Sequence, residues 1–253
     1  MLASFWGLCR SLLIYHAIPW RQVRLRALLS PLVPQGGLAF DLGAHVGNRV
    51  KALRGLGARV IAVEPLPAYA GLLRQLFAWD GGVVIVEAAI GAEPGSTVLY
   101  ISDRHPTVST VSSAWRERMG RHESFRAVSW DREVRVTVET LDRLIARFGM
   151  PDFIKIDIEG SEEAALRGLS SPVKALSFEY VPGARAEALA CIDLLGRLGP
   201  YRYNWSPGET MRLAFSDWLD AAGIRDFLAR ADSQGDIYCR LATTSPADPG
   251  ARP

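Results

Sequence analysis

From Leu38 onward, short apolar runs alternate with stretches in which apolar residues recur at helical spacing. The pattern predicts a strand in LAFDLG that ends at Asp41, and a second strand in ARVIAVEP that ends at Glu64. It predicts a third strand in VVIVEAAIG, with helices from about Gly47 to Leu56 and over PAYAGLLRQLFAW between the strands. Strands that alternate with helices in this way are typical of parallel βαβ units, so the sequence predicts an α/β fold with a doubly wound sheet.

The rhythm changes between residues 96 and 138, where the runs STVLYIS, TVSTVSS and VRVTVET predict a strand-rich insertion. The α/β pattern then resumes with a helix in TLDRLIARFG capped by Thr140, a strand in PDFIKID, a helix in SEEAALRGL, a strand in VKALSFEY and a helix in ARAEALACIDLLGRLG. The last runs, YRYNWS and GDIYCRLA, are expected to pair, with an antiparallel strand at the edge of the sheet. These elements place the main domain at residues 37–242.

The N-terminal segment, residues 1–36, is apolar and basic and contains no acidic side chain. Arg10 and Pro19 interrupt its apolar run, which argues against a membrane-spanning helix of about 20 residues, and a signal-peptide cleavage site is not evident. The segment forms either one or two helices packed on the domain or a membrane-surface helix. In the second case the helix carries three arginines, Arg21, Arg24 and Arg26. The polar residues 243–253 predict a disordered tail.

The composition fits a single domain without a polyanionic partner. With 253 residues and 49% apolar content, the chain is long enough to bury a full core. The 29 basic and 27 acidic residues give a formal charge of +2, which is too small a field to attract nucleic acid. Cys9, Cys191 and Cys239 lie far apart without a CxxC pair, so we expect reduced cysteines in a cytoplasmic protein rather than a metal site.

Candidate chemistry begins at the turn DLGAHVG, because ligands of open parallel sheets bind at the carboxyl ends of the strands. Gly43 and Gly47 allow a tight turn and the close approach of backbone N–H groups to a ligand. Glu64, which ends the second strand, is placed to accept hydrogen bonds from both hydroxyls of a ribose, as in sites for nicotinamide dinucleotides and S-adenosylmethionine. The DxGxxxG spacing differs from the dinucleotide pattern GxGxxG. Asp41 would repel a pyrophosphate but suits an ammonium and a sulfonium, which favours S-adenosylmethionine.

In the segments FDLGAHVGN, VIAVEP, VEAAIG, VTVETLDRL and FIKIDIEGSEEAALRG, between about Leu38 and Glu179, the chain resembles the FkbM family of methyltransferases. The resemblance implies a Rossmann-like class I methyltransferase fold with a seven-stranded, mostly parallel sheet. It also implies S-adenosylmethionine as cofactor and methylation of hydroxyls on sugars, polyketides or other small molecules. The implied cofactor site consists of Asp41, Gly43, Ala44, His45, Gly47, Glu64, Pro65 and Ala89. The family usually has Asn in place of His45 and Thr or Ser in place of Val50, and loss of that hydroxyl would weaken cofactor binding.

The sequence FIKIDIEGSE places three carboxylates within six residues, Asp157, Glu159 and Glu162, which the resemblance assigns to the family's late acidic motif. The strand that ends at Asp157 is expected beside the first strand, so these groups would face the cleft. They would hold an acceptor hydroxyl, share a divalent cation through Asp157 and Glu159, or act as general base. Because neighbouring carboxylates raise one another's pKa, Asp157 is the first candidate base and Glu159 its catalytic partner.

Other residues complete this prediction. His45 is the alternative base, because imidazole titrates near neutral pH. Glu162, Glu179 and His105 are candidate acceptor-binding residues, although the helix dipole alone would explain an acid at the position of Glu162. Lys155 is expected to pair with a nearby acid.

The sequence therefore predicts a cytoplasmic S-adenosylmethionine-dependent O-methyltransferase that acts on a small molecule or a glycan and not on nucleic acid. The N-terminal helix is the part that a membrane surface would contact. A nicotinamide-dependent oxidoreductase and a non-catalytic S-adenosylmethionine-binding module remain as alternatives. The sequence carries no signal for an oligomeric state.

Overall fold

The structure is a computed structural model, and it describes residues 19–102, 108–120 and 128–242. Residues 1–18, the predicted tail 243–253 and His105 lie outside the described residues, so what the sequence indicates for them stays a prediction. Within the described ranges, no helix combines the length and the apolar character needed to cross a membrane.

The described helices and strands follow the predicted alternation. The helices are α1 (Pro19–Leu29), α2 (Asn48–Gly55), α3 (Pro67–Leu76), α4 (Ser113–Gly120), α5 (Leu141–Phe148), α6 (Glu162–Arg167), α7 (Arg185–Leu198) and α8 (Ala221–Leu228). The strands are β1 (Leu38–Leu42), β2 (Arg59–Val63), β3 (Val83–Val86), β4 (Ala89–Ile90), β5 (Gly95–Ile101), β6 (Arg132–Glu139), β7 (Phe153–Ile156), β8 (Ala175–Tyr180), β9 (Tyr201–Pro207) and β10 (Gly235–Leu241). The predicted cap of α5 is present, since Thr140 Oγ1 accepts a hydrogen bond from the Arg143 N–H at 3.2 Å.

The main sheet has seven strands in the order β3-β2-β1-β7-β8-β10-β9. The strands from β3 to β8 in this order run parallel, whereas β10 is antiparallel to both β8 and β9. The predicted doubly wound, mostly parallel fold is confirmed. The expected pairing of the last two strands is also confirmed, since β9 lies at the edge and pairs antiparallel with β10, but the sequence pattern does not predict that β10 lies between β8 and β9. Three consecutive residues of β10 are buried, Ile237, Tyr238 and Cys239, which agrees with a strand covered on both sides.

The region before β7 differs from the prediction in two places. The third predicted strand divides into β3 and β4, and β4 joins a second, three-stranded sheet in the order β4-β6-β5. The run TVSTVSS, whose first residue lies outside the described residues, forms one bridge from Thr110 to Tyr100 and then leads into α4. Ser and Thr side chains explain this outcome, because Thr110 Oγ1 accepts the Ser112 N–H and Ser112 Oγ accepts the Trp115 N–H. Such local hydrogen bonds favour turns and helix starts over strands.

The central strands β1 and β7 are buried on both faces of the sheet. Phe40 and Ile154 belong to a core on one face that includes apolar residues of α5, α6 and α7. Ala39 and Phe153 belong to a core on the other face that includes residues of α1 and α2. The carboxyl ends of β1 and β7 are therefore held between two apolar layers, and their position is set by the core.

The described part of the N-terminal segment is a helix packed on the domain. Leu25 and Leu29 of α1 are buried, and Gln22 Nε2 donates a hydrogen bond to the Asn48 carbonyl oxygen at 3.1 Å. Arg21 lies 3.7 Å from Glu209. Contact of α1 with a membrane surface stays a prediction, and so do the predicted domain boundaries.

The variant Gly43→Ala tests the contact between the ends of β1 and β7. Gly43 has a φ of 79°, and a Cβ there would lie 1.8 Å from the carbonyl oxygen of Asp157. We expect the free energy of unfolding to fall by more than about 2 kcal/mol, because strained backbone alone costs of order 1–3 kcal/mol. Urea and thermal unfolding provide the measurement.

Gly71→Ala is the matched control for this variant. Gly71 lies within α3 and has no atom within 4 Å of an added Cβ, and alanine is the better helix residue by about 0.5–1 kcal/mol. We expect the control to be as stable as the wild type or slightly more stable. Equal unfolding curves for the two variants would show that the ends of β1 and β7 have no such contact.

Candidate functional site

Two adjoining cavities lie at the carboxyl ends of the parallel strands, where the strand order reverses at β1. The larger cavity has a volume of about 330 Å³ and the smaller one of about 70 Å³. Both are lined by Gly43, His45, Asp157 and Glu159. We call the segment DLGAHVG at the end of β1 the glycine turn and the segment DIEGSE after β7 the acidic turn. The two turns meet at the boundary between the two cavities.

The glycine turn has left-handed backbone conformations at three positions, with φ of 79° at Gly43, 49° at His45 and 78° at Gly47. At Gly43 the carbonyl of Asp157 fills the space of a Cβ, and at Gly47 the side chains of Leu73 and Phe77 do so, at 2.8 and 2.7 Å. Glycine is thus required at both positions. The turn lies directly against the end of β7, which brings the two predicted motifs into backbone contact.

Glu64 lies at the end of β2, where the sequence predicts the ribose acid, and it lines the smaller cavity. Its Oε2 accepts a hydrogen bond from the His45 N–H at 2.8 Å, and its Oε1 accepts one from the Leu66 N–H at 2.9 Å. Burial raises the pKa of Glu64 to about 7, although these two hydrogen bonds oppose the shift. Each oxygen retains a lone pair for a ligand hydroxyl.

Aliphatic side chains form much of the wall of the smaller cavity around Glu64. They include residues of β4 and β5 and of the segments before α4 and after β7, namely Ala89, Ile90, Leu99, Val111 and Ile158. Pro65, another predicted cofactor residue, lines the same cavity. A flat, weakly polar ring with a vicinal diol at one end fits this combination of apolar walls and one buried acid.

A network of four charged groups forms the floor of the larger cavity, and three of them, Arg49, Asp157 and Asp236, line it. Lys155 on β7 is fully buried, and its Nζ lies 2.5 Å from Asp236 Oδ1 and 3.5 Å from Asp157 Oδ2. Arg49 Nη1 lies 3.2 Å from the same Asp157 oxygen, and Arg49 Nη2 lies 3.6 Å from Asp236 Oδ2. The expectation that Lys155 pairs with a nearby acid is confirmed.

Two members of this network, Arg49 and Asp236, are absent from the sequence prediction. Arg49 stands in the first turn of α2, directly after the glycine turn, and this position is a signal that sequence reasoning could have used. Asp236 is the register partner of Glu179 across β10 and β8. That pairing depends on the insertion of β10 inside the sheet, so no local pattern in the sequence reveals it.

The expectation of a raised pKa at Asp157 is wrong, whereas its role as the base stays a prediction. Burial raises the pKa of Asp157, but the charges of Lys155 and Arg49 together outweigh it, and the pKa lies below its usual value. Glu159 and Glu179 have the opposite behaviour, because burial and then repulsion from neighbouring carboxylates raise the pKa of each well above its usual range. The group that holds a proton most readily at this end of the site is a glutamate.

The acidic turn has its own support. Glu159 has a left-handed φ of 51°, and its carbonyl oxygen accepts a hydrogen bond from Thr110 Oγ1 at 2.7 Å. The indole of Trp115 on α4 lies over Gly160, where it would be 2.1 Å from an added Cβ. The segment before β6 thus presses on the acidic turn and holds the conformation of Glu159.

Glu162 supports the same turn from within. Its Oε1 accepts hydrogen bonds from the Ile158 N–H at 3.1 Å and the Gly160 N–H at 3.4 Å. It lines neither of the two main cavities. We therefore revise its predicted role from acceptor binding to support of the turn. Glu179, at the end of β8, does line the larger cavity, as an acceptor-binding residue would.

His45 does not fit the predicted role of a base that titrates near neutral pH. Burial lowers the pKa of His45 to about 4, although the charge of Asp157 opposes the shift. Its ring centroid lies 4.4 Å from that of Tyr69 in an edge-on contact. The imidazole is therefore neutral at physiological pH, and its backbone N–H, which binds Glu64, provides its clearest contribution to the site.

Val50, where a hydroxyl residue was expected, is fully buried in the core between α2 and the sheet and lines neither cavity. The departure at this position therefore leaves the cavities unchanged. Asp41, by contrast, lines the larger cavity although it is only 1% exposed. Burial raises the pKa of Asp41 to about 6, and neither of its oxygens has a hydrogen-bond partner among the described residues. A buried, unsatisfied carboxylate of this kind calls for a polar ligand.

The sequence matches the model of the methyltransferase FkbM domain over residues 41–189. No curated protein sequence matches the chain. A putative O-methyltransferase from Klebsiella pneumoniae has a similar structure, with 12% identity, a TM-score of 0.47 and coverage of 94% of this chain and 90% of that chain. Precorrin-6y C5,15-methyltransferase from Geobacter metallireducens is similar with 15% identity, a TM-score of 0.43 and coverage of 86% and 87%, respectively. Fibrillarin from Aeropyrum pernix, with bound S-adenosyl-L-methionine, has 11% identity, a TM-score of 0.41 and coverage of 82% and 68%.

The variant Lys155→Met tests whether the ion network stabilises the fold. The substitution keeps an apolar side chain of similar length but leaves Asp157 and Asp236 with Arg49 alone. We expect the free energy of unfolding at neutral pH to fall by about 3–5 kcal/mol, as for other buried ion pairs that lose one partner. Lys174→Met is the control, because Lys174 is 75% exposed and lies 2.6 Å from Asp152 at the surface. Such a surface pair contributes less than about 1 kcal/mol. Equal losses in the two variants, measured by urea unfolding, would contradict a special role for Lys155.

Proposed function

Because the chain belongs to the FkbM methyltransferase family, we propose that this S-adenosylmethionine-dependent methyltransferase acts on a hydroxyl of a small molecule or glycan. The observation that carries the proposal is the junction of the two cavities. A cavity with aliphatic walls and Glu64 joins a larger cavity with more carboxylates at the contact of Gly43 with Asp157. Cofactor and acceptor would meet there.

The residues of the smaller cavity suit the adenosine part of S-adenosylmethionine. Its aliphatic walls would cover the adenine ring, and both oxygens of Glu64 would accept hydrogen bonds from the ribose hydroxyls. The unpartnered carboxylate of Asp41 would face the ammonium of the methionine part. The same carboxylate would repel the pyrophosphate of a nicotinamide dinucleotide, which argues against the oxidoreductase alternative.

When bound, S-adenosylmethionine supplies an electrophilic methyl group. The contribution of the chain is to hold an acceptor hydroxyl in line with that group and to take its proton, and orientation alone can supply about 7–11 kcal/mol of the barrier. Glu159 lines both cavities, so its carboxylate lies where the proton would be released. Asp157, held by Lys155 and Arg49, would remain ionised and accept a hydrogen bond from the acceptor.

The variant Glu64→Ala tests the cofactor part of the proposal. The variant loses two hydrogen bonds to a charged group, each of which contributes about 1.5–3 kcal/mol before water compensates for part of the loss. We therefore expect calorimetric titration to show S-adenosylhomocysteine binding that is weaker by at least about 10-fold. Glu93→Ala is the control, because Glu93 is exposed and lines neither cavity. NADH should not bind to the wild type. Unchanged affinity in Glu64→Ala, or tight NADH binding, would contradict the assignment.

The affinity for S-adenosylhomocysteine should rise with pH in the wild type, because Glu64 accepts hydrogen bonds from both ribose hydroxyls only as a carboxylate. Its pKa of about 7 in the free protein sets the midpoint of the rise near neutral pH. Asp41, with a pKa of about 6, adds a second rise at lower pH, whereas His45, with a pKa of about 4, is already neutral. Glu64→Gln should remove the upper step and leave the lower one. A profile in which Glu64→Gln and the wild type share the same midpoint would disprove this role of Glu64.

A further inference from the structure

Three carboxylates converge at the carboxyl ends of β7 and β8, in the larger cavity. One oxygen of each of Asp157, Glu159 and Glu179 lies within 4.8 Å of the others. We propose that these three residues bind a divalent cation with a preference for oxygen ligands, such as Mg²⁺, which in turn holds two adjacent oxygens of the acceptor. This inference deepens the proposed function and rests on it.

The spacing of the oxygens agrees with such an ion. Mg²⁺ binds oxygen at about 2.0–2.1 Å and Ca²⁺ at about 2.3–2.6 Å, so two oxygens on opposite sides of one ion lie roughly 4–5 Å apart. The three carboxylate oxygens lie no farther than 4.8 Å from one another, which does not exceed this span. Small side-chain rotations would bring all three to one ion without a change in the backbone.

The charges of the cluster also need a cation. The ion pairs of Asp157 with Arg49 and Lys155 both involve Oδ2, which leaves Oδ1 for another ligand. Among the described residues, Glu159 and Glu179 form no ion pair with a lysine or arginine. Repulsion between these carboxylates is relieved if a proton or a metal ion lies between them.

Asp41 provides an independent observation in the same cavity. Only 1% of Asp41 is exposed, and both of its carboxylate oxygens lack a hydrogen-bond partner among the described residues. Arg49, which lines the same cavity, opposes the raised pKa of Asp41, and the negative charge of Asp157 adds to it. The cavity thus holds Asp41, which has no hydrogen-bond partner among the described residues, and the three converging carboxylates. It suits a ligand set that carries more than one positive charge, namely the ammonium of the cofactor and a divalent ion.

A bound ion would give the site its selectivity for the acceptor. With three protein ligands, a six-coordinate ion keeps about three positions for water or acceptor oxygens. A pair of neighbouring hydroxyls would occupy two of them, and the metal would lower the pKa of the hydroxyl to be methylated. Each carboxylate uses one oxygen for the metal, so the second oxygen of Glu159 remains available to accept the proton. The acceptor class that fits is a vicinal diol, as in a sugar or a catechol-like ring.

The experiment is a titration of the purified full chain with Mn²⁺, followed by electron paramagnetic resonance of the free ion and with Mg²⁺ as competitor. We expect one Mn²⁺ per chain, displaced by excess Mg²⁺, and at least about 10-fold weaker binding in Glu179→Gln and Glu159→Gln. Glu163→Gln is the matched control, because it makes the same charge change at a residue that pairs with Arg167 on the surface of α6. It should bind Mn²⁺ like the wild type.

Calorimetric titration with S-adenosylhomocysteine accompanies each sample, because it reports an intact cofactor site without a need for turnover. A wild type that binds S-adenosylhomocysteine but not Mn²⁺ would overturn the metal site and leave the proposed function standing. Mn²⁺ binding that is equal in the wild type, Glu179→Gln and Glu159→Gln would also overturn it. A chain that binds Mn²⁺ but no S-adenosylhomocysteine would instead contradict the proposed function.

Discussion

The fully buried ammonium of Lys155 is the constraint on which the rest of the site depends. A lysine in the middle strand of a sheet is costly unless acids compensate its charge. Here Asp157, from the end of the same strand, and Asp236, from β10, provide that compensation, and Arg49 binds both acids from α2. One interaction thus joins three elements of the fold at the floor of the larger cavity. Because Asp157 belongs to the network, the direction of its carboxylate is fixed before any ligand binds.

The same network separates the roles of the neighbouring acids. Asp157 forms ion pairs with two cations and stays ionised, whereas for Glu159 and Glu179 the attraction of Lys155 does not offset burial and the neighbouring acids, so these two retain protons more readily. Three carboxylates that face one cavity are thus divided into one that is fixed in charge and two that respond to a ligand. Environment, rather than residue type, makes the difference. The support from Thr110 and Trp115 then holds Glu159 at the boundary between the cavities.

Local patterns predict the parts of this arrangement that are local. The alternation of apolar runs predicts the parallel strands, and the glycine spacing together with Glu64 predicts the cofactor end of the site. The strand FIKID was expected beside β1, and it lies there. The pKa of Asp157 was predicted in the wrong direction because its cations come from α2 and from a strand neighbour, and the effect of Arg49 depends on the fold. The position of β10, and with it Asp236, follows from the pairing of strands distant in sequence, which a local period does not encode.

The insertion of β10 between β8 and β9 has a consequence for the order of assembly. Asp236 and Lys155 are separated by 81 residues, and β10 follows all other strands of the main sheet in sequence. During synthesis, β8 and β9 are made before the strand that must come between them. Lys155 therefore lacks its nearest acid until that strand is placed. Because Asp236 and Tyr238 of β10 also line the larger cavity, the strand that completes the sheet completes this cavity and the charge balance beneath it in the same step.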